Sequence, residues 1–315
     1  MKKYKMIDMQ KVKTYSIADR DSKVNVQDHF AGDVSAGMSV AELFASLPRQ
    51  LGSENLLKVA DAIVVARKKG KPIVAAIGGH VIKCGLQPVL KKLIAEGFIT
   101  AVAMNGSATI HDYEIALQGA TSEDVGAGLQ SGNFGFAEET GAGINRTLKN
   151  NMESELGYGA VLAGEIVAKQ LPYADQSLLA TCHLHDVPTT VHVAIGTDII
   201  HQHPEADGAV LGEMSYRDFR LLTAIVADLG DGGVWLNIGS SVIMPEVFLK
   251  ALSVAQNLGH HVNNFTTANF DMIQHYRPTQ NVVRRPTQGG GAGYSIIGHH
   301  EINIPLLAAA VLDRC

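Results

Sequence analysis

The chain has 315 residues, 46% hydrophobic and 18% charged, with a formal charge of −5. So apolar a chain can bury enough surface to offset its ordering entropy, which excludes disorder, and the acidic balance argues against a nucleic-acid partner. No apolar run reaches the roughly 18 residues that span a bilayer, so no membrane partner is expected.

The basic opening MKKYKMIDMQKVK lacks an apolar stretch and a small-residue cleavage site, so it reads as no signal peptide. The cysteines Cys84, Cys182 and Cys315 form no CxxC pair or disulfide framework. They suit a reducing, cytoplasmic compartment. Residues 1–35 are polar and mixed, and predict an N-terminal arm. Residues 36–315 read as a single domain, with no fixed-period repeat and no linker composition.

The helical spacing of Leu56, Val59, Ala60, Ile63 and Val64 predicts a helix over 55–69, stopped at Gly70. The apolar run 72–79 (PIVAAIGG) predicts a buried strand. A helix follows over 86–97, a second strand over 98–106 and a helix over 109–119. Residues 125–171 are Gly-rich and then helical. The alternation returns with a helix at 215–229, a strand at 233–241, a helix at 245–259, a strand at 261–269 and a final helix at 302–313. That order predicts an α/β fold, a parallel sheet with helices on both faces.

In such a sheet ligands sit outside the carboxyl ends of the strands. Those ends are small and polar here: Gly78-Gly79-His80, Asn105-Gly106-Ser107, Gly196-Thr197-Asp198, Gly239-Ser240-Ser241 and Thr266-Thr267-Ala268. Any one such turn is ordinary loop chemistry. Five together favour a nucleotide-type ligand. Neither a complete GxGxxG nor a GxxxxGK[ST] is present.

Histidines cluster as His183-Leu-His185-Asp186, His201-Gln-His203, His260-His261 and His299-His300. In a strand, HxH puts both rings on one face, as some metal hydrolases require. The competing reading is polar loop histidines beside a cleft or a subunit contact. His192, in VHVAI, reads as a satisfied buried histidine. His111 and Glu114 are i,i+3 neighbours on the third helix. Asp112 and Glu114 either hold a cationic substrate or complement the helix dipole. Arg284-Arg285-Pro286 before Gly289-Gly290-Gly291 is either an anion clamp or a solvated basic loop. Cys182 beside His183 is either an activated thiol or a structural one.

Residues 77–117, 187–199 (VPTTVHVAIGTDI), 234–241 (VWLNIGSS), 263–271 (NNFTTANFD) and 298–313 (GHHEINIPLLAAAVLD) together resemble the deoxyhypusine synthase family. The likeness is greatest to bacterial deoxyhypusine synthase-like proteins. It covers most of the chain from about residue 40 and is most specific at the strand-end turns. The resemblance implies a Rossmann-like parallel sheet without GxGxxG, in a homotetramer binding NAD at subunit interfaces. It implies a cradle of Gly79, Lys83, Cys84, Asn105, Gly106, Ser107, Asp198, Gly239, Ser240, Thr267 and Ala268. Family enzymes oxidise spermidine with NAD and pass an aminobutyl group, through an imine on an enzyme lysine, to a protein lysine. Related homospermidine synthases pass it to a small amine.

The departures matter. The segment matching the family's imine-forming lysine is Thr279–Thr287, and no lysine follows Lys250. Arginine cannot form that imine, because its guanidinium stays protonated. The family's His-His becomes Met244-Pro245-Glu246, and its paired glutamates become Ile110-His111-Asp112. The expectation is therefore NAD-dependent dehydrogenation of a small amine-type substrate coupled to group transfer, and not deoxyhypusine synthesis itself. Candidate catalytic residues are Lys83, His111, Asp112, Glu114, Glu246, His299, His300 and Glu301, with Lys83 a candidate replacement amine. Arg277, Arg284 and Arg285 suggest an anionic group on the substrate. The rivals are a metal-dependent hydrolase or lyase using the HxH clusters, and a non-catalytic NAD-binding protein.

Overall fold

The computed structural model describes residues 3–315. From Lys3 to Ser35 every residue is exposed except the half-buried Asn25 and His29. That stretch holds only two 3-10 turns and the one-turn helix α1 (Val26–His29). Helix α2 (Val40–Ser46) carries a reciprocal Ser39–Glu42 capping box and buries Phe44.

The alternating part follows. It runs α3 (Leu51–Lys68), β1 (Ile73–Ile77), α4 (Gly79–Lys83), α5 (Gln87–Ala95), β2 (Ala101–Asn105) and α6 (Gly106–Gln118). An all-helical excursion comes next: α7 (Val125–Ser131), α8 (Glu138–Asn150), α9 (Tyr158–Ala168) and α10 (Leu178–Leu184). The chain then runs β3 (Thr189–His192), α11 (Gly208–Ala227), β4 (Val234–Ile238), α12 (Ile243–Asn257) and β5 (Phe265–Asp271). It closes with α13 (Tyr276–Pro278), a π-helical turn over Thr279–Arg284, β6 (Gly291–Ile297) and α14 (His300–Leu312).

The six strands form one sheet in the order β3-β2-β1-β4-β5-β6. Every pairing is parallel. The fold is thus the α/β fold with helices on both faces. Strand side chains alternate between two cores. Ile73, Ala75 and Ile77 face the helices α3, α5, α9, α10 and α14. Val74, Ala76 and Trp235 face α12 and the later part of α11. Both faces being covered is why the central strands read as continuous apolar runs.

The chain lays down β1 to β3 in one direction and β4 to β6 in the other, so the order reverses between β1 and β4. The two strand ends meet closely there. Gly78 N–H donates to Ile238 O at 3.0 Å. A Cβ on Gly78 would stand 2.1 Å from the Gly239 carbonyl oxygen. In doubly wound sheets this reversal is where the ligand crevice opens, at the carboxyl ends of the strands.

Strand β6 was not anticipated, because its sequence is glycine-rich and its position at the sheet edge leaves it half exposed. Strand β5 starts and ends later than expected, so Thr267 and Ala268 lie mid-strand rather than in a strand-end turn. No helix among the described residues is long and apolar enough to cross a membrane.

Candidate functional site

A cleft of about 230 Å³ opens over the carboxyl ends of β1, β2 and β3. Its walls bring together Lys83, Ser107, His111, Glu114 and Asp198, all singled out from the sequence. Lys83 comes from the end of α4. Ser107, His111 and Glu114 lie along the first three turns of α6. Asp198 comes from the loop after β3.

The packing behind these residues is tight. Asn105 Oδ1 accepts from Ala108 N–H at 2.9 Å and so caps α6. A Cβ on Gly106 would stand 2.2 Å from Asp198 Oδ2, and one on Gly79 would stand 2.2 Å from Ser107 Oγ. These two glycines therefore let Asp198 and Ser107 approach the strand ends. Asp198 lies against the positive end of α6, a favourable place for a carboxylate. Burial raises the Asp198 pKa, opposed by His201 and Thr197.

His111 and Glu114 belong to a hydrogen-bonded chain. His111 Nδ1 lies 2.7 Å from Thr121 Oγ1, and Thr121 donates to Glu114 Oε2. Thr140 donates to Glu114 Oε1 at 2.9 Å. Burial lowers the His111 pKa, Lys83 adds to the lowering, and Glu114 opposes it. Among the described residues Lys83 has no ion-pair partner. The loop 119–124 supplies Ser122 and Glu123 to the cleft, and Phe134 closes it. Thr121, Ser122 and Glu123 were not picked out from the sequence. Their only signal was a run of small polar residues after the Gly119 helix stop.

Other candidates lie elsewhere. Asp112 does not reach the cleft: it is buried on the core side of α6. It accepts from Ser177 Oγ at 2.6 Å and from the N–H groups of Leu178 and Leu179 at 2.8 and 3.0 Å. It is the carboxylate at the start of α10, and both its oxygens are held by structure. Thr267 is fully buried and donates to Val282 O at 2.8 Å, and Ala268 packs in the core. Ser240 Oγ accepts from Met244 N–H at 3.1 Å, capping the start of α12.

Glu246 is saturated by Lys250, by Arg277 Nε at 3.2 Å and by Asn281 Nδ2 at 2.9 Å. Lys250 first, then Arg277, holds its pKa below the usual carboxylate range despite some burial. Such a carboxylate is a poor base, and Arg277 is neutralised by it. Arg284 is exposed. Arg285 lines a separate cavity with Pro286, Gly289 and Asn263. Asn263 precedes β5, so this cavity lies at the amino end of the sheet, opposite the cleft. None of the three arginines lines the cleft.

At the strand-order reversal, His300 lies against Gly239, and its ring meets His80 edge-on with centroids 5.9 Å apart. His300 Nδ1 and Asn237 Oδ1 are buried without a hydrogen-bond partner among the described residues. Cys84 Sγ lies 3.8 Å from Glu301 Oε2, and His299 Nδ1 lies 3.6 Å from Glu301 Oε1. Burial, then Glu301, pushes the Cys84 thiol pKa up.

The HxH pairs do not lie in strands. His183 is in α10 and His185 caps it, while His201 and His203 flank the end of a 3-10 turn. No three His, Cys, Asp or Glu side chains among the described residues stand close enough to share a metal ion. Cys182 is buried, and burial pushes its thiol to about 12, which removes it as a nucleophile. His192 is buried as read, its Nε2 lying 3.0 Å from Thr190 Oγ1, with burial depressing its pKa to about 3.

No protein-family model matches this chain, and no curated protein matches it. Solved structures do. A conserved Methanococcus maripaludis S2 protein assigned as LOR/SDH shares 16% identity at TM-score 0.53, over 84% of this chain and 71% of that one. AgrE in ternary complex with ornithine and NAD+ shares 13% identity at TM-score 0.52, over 85% of this chain. This chain spans only 35% of AgrE. An Entamoeba histolytica protein assigned as a deoxyhypusine synthase shares 10% identity at TM-score 0.51, over 90% of this chain and 96% of that one. At these identities the likeness is one of fold.

Proposed function

We propose that this chain is an NAD-dependent enzyme that dehydrogenates a small amine-type substrate in the Lys83–His111–Asp198 cleft and couples the oxidation to group transfer. The observation carrying the reading is that cleft, in which one amine, one imidazole and three carboxylates converge at the strand carboxyl ends beside the reversal of strand order. The fold it shares with AgrE, which was solved with NAD+, supports the cofactor.

The residues fit a dinucleotide. The reversal offers close-packed glycine turns, and the buried unpartnered Asn237 Oδ1 and His300 Nδ1 are available to a polar ligand. Asn237, Gly239 and His300 would hold it there, with Ser107 and the start of α6 lining the way into the cleft. Bound NAD supplies a two-electron hydride acceptor.

This chain's own residues do the rest. Glu114, Glu123 and Asp198 give the cleft an acidic wall suited to a cationic amine. His111 takes the N–H proton as the amine becomes an imine. Lys83 Nζ is the one amine lining the cleft among the described residues. It adds to the imine carbon and expels the original amine, keeping the oxidised fragment for an acceptor. The resemblance to deoxyhypusine synthases implies a homotetramer with sites between protomers, and the free thiols suit the cytoplasm.

The test is mass spectrometry of small molecules released on denaturing freshly purified protein, followed by amine-dependent NAD reduction. Stoichiometric NAD, its reduction by an amine, and a borohydride-trapped adduct on the chain that is absent from Lys83→Met are the expected results. A preparation that neither carries nor binds NAD overturns the reading.

A further inference from the structure

We propose that Thr121 is a positioning residue that holds His111 as its Nδ1–H tautomer and so leaves Nε2 as the base facing the substrate. The inference rests on the amine-dehydrogenation reading and adds how its base is set.

The argument is a count of hydrogens. The Thr121 hydroxyl has one, and it lies between His111 Nδ1, 2.7 Å away, and Glu114 Oε2. A carboxylate oxygen accepts only. Glu114's other oxygen already takes the Thr140 hydrogen at 2.9 Å. Thr121 therefore donates to Glu114 and offers His111 a lone pair. His111 Nδ1 must then carry the ring hydrogen, and the free lone pair is on Nε2. The ring's Cδ2 would lie 3.1 Å from a Cβ on Gly79, so the edge bearing Nε2 turns toward the Gly79–Ser107 wall. Nε2 has no partner among the described residues.

A neighbouring histidine shows the opposite setting. His201 Nδ1 accepts from the N–H groups of Gly196 and Asp198 at 3.1 and 3.3 Å. Its hydrogen is therefore on Nε2, 4.0 Å from Asp198 Oδ2. The two imidazoles thus carry their ring hydrogens on opposite nitrogens, and His201 Nε2 is buried without a hydrogen-bond partner among the described residues.

In the reaction the N–H bond of the substrate amine breaks and Nε2 takes the proton. The N–H electron pair becomes the new C–N π bond as a hydride leaves the adjacent carbon for NAD, the oxidant. The charged ring keeps Nδ1–H on Thr121, with the Glu114 carboxylate 4.0 Å from Nδ1 offsetting its charge. The charged groups sharing the cleft with His111 are Lys83 from α4, Glu114 on its own helix, Glu123 from the 119–124 loop and Asp198 after β3.

The experiment uses the full chain labelled with 15N-histidine, with the His111 signals assigned by their loss in His111→Gln. Wild type and Thr121→Ser are expected to show Nδ1 protonated and Nε2 bare at neutral pH. Thr121→Val is expected to lose that fixed tautomer. Its kcat falls about 10²-fold, the scale of a misplaced catalytic group, with KM near wild type. Its acid limb moves, and Thr121→Ser restores both. Nε2 protonated in the neutral wild-type ring, or a Thr121→Val tautomer like wild type, overturns the proposal. If no amine reduces NAD, the functional reading fails instead, and the spectrum still decides the tautomer.

Discussion

His111, Asp112 and Glu114 lie within four residues of one another, yet only two of them face the cleft. Successive residues on a helix turn by about 100°, so His111 and Glu114 share a face and Asp112 points into the core. Spacing could pair the first two, but it could not say which face was wet. The assignment predicts two different losses. Asp112→Ala leaves the Leu178 and Leu179 N–H groups and the Ser177 hydroxyl without their acceptor in a buried place. It is expected to cost roughly 2–4 kcal/mol of stability, read by urea denaturation, with NAD affinity retained in the folded fraction. Asp198→Asn is expected to do the reverse, weakening amine binding with little change in the denaturation midpoint. The chemistry of the Arg284-Arg285 pair suits an anion, but its distance from the cleft lining is visible only in the tertiary fold.

Whole elements were more legible than side-chain directions. β1, β2 and β4 are buried on both faces, so their apolar runs stood out between glycine and proline punctuation. β6 escaped because GAGYSII at a sheet edge has neither a continuous run nor a clean alternation. The small strand-end turns were legible as a class, but their reasons differ. Gly79 and Gly106 make room for the Ser107 and Asp198 side chains. Gly78 makes room for backbone, since its Cβ would meet the Gly239 carbonyl at 2.1 Å. A side chain can rotate aside, whereas paired strand ends cannot part cheaply. Gly78→Ala is therefore expected to be the most destabilising of the three alanine variants, by about 3 kcal/mol or more. Gly106→Ala is expected to fold but lose affinity for the amine, because Asp198 must leave its place. Denaturation midpoints and calorimetric titration of the three proteins side by side would check this ordering.

At the scale of the whole molecule, one buried carboxylate joins three elements. Asp218 Oδ2, on α11, accepts from Gly159 N–H of α9 at 2.9 Å and from Val191 N–H of β3 at 2.7 Å. Its Oδ1 is buried without a partner. Burial lifts its pKa to about 7, against the lowering effect of the two backbone donors. The folded state therefore holds a proton that the unfolded chain releases near pH 4, the ordinary aspartate range. Stability from this group is present below about pH 4 and falls as the pH rises toward 7, since the folded form binds more protons across that window. His192, depressed to about 3 by burial, acts the other way, but its effect is complete once the pH passes the ordinary imidazole value near 6.5. Asp218→Asn keeps an oxygen for both backbone donors and removes the titration. Between pH 5 and pH 8 wild type is expected to lose on the order of 2 kcal/mol more stability than Asp218→Asn. Paired urea denaturations at the two pH values would measure it. Equal slopes in the two proteins would mean that Asp218 stays ionised in the fold, with its two backbone donors outweighing its burial.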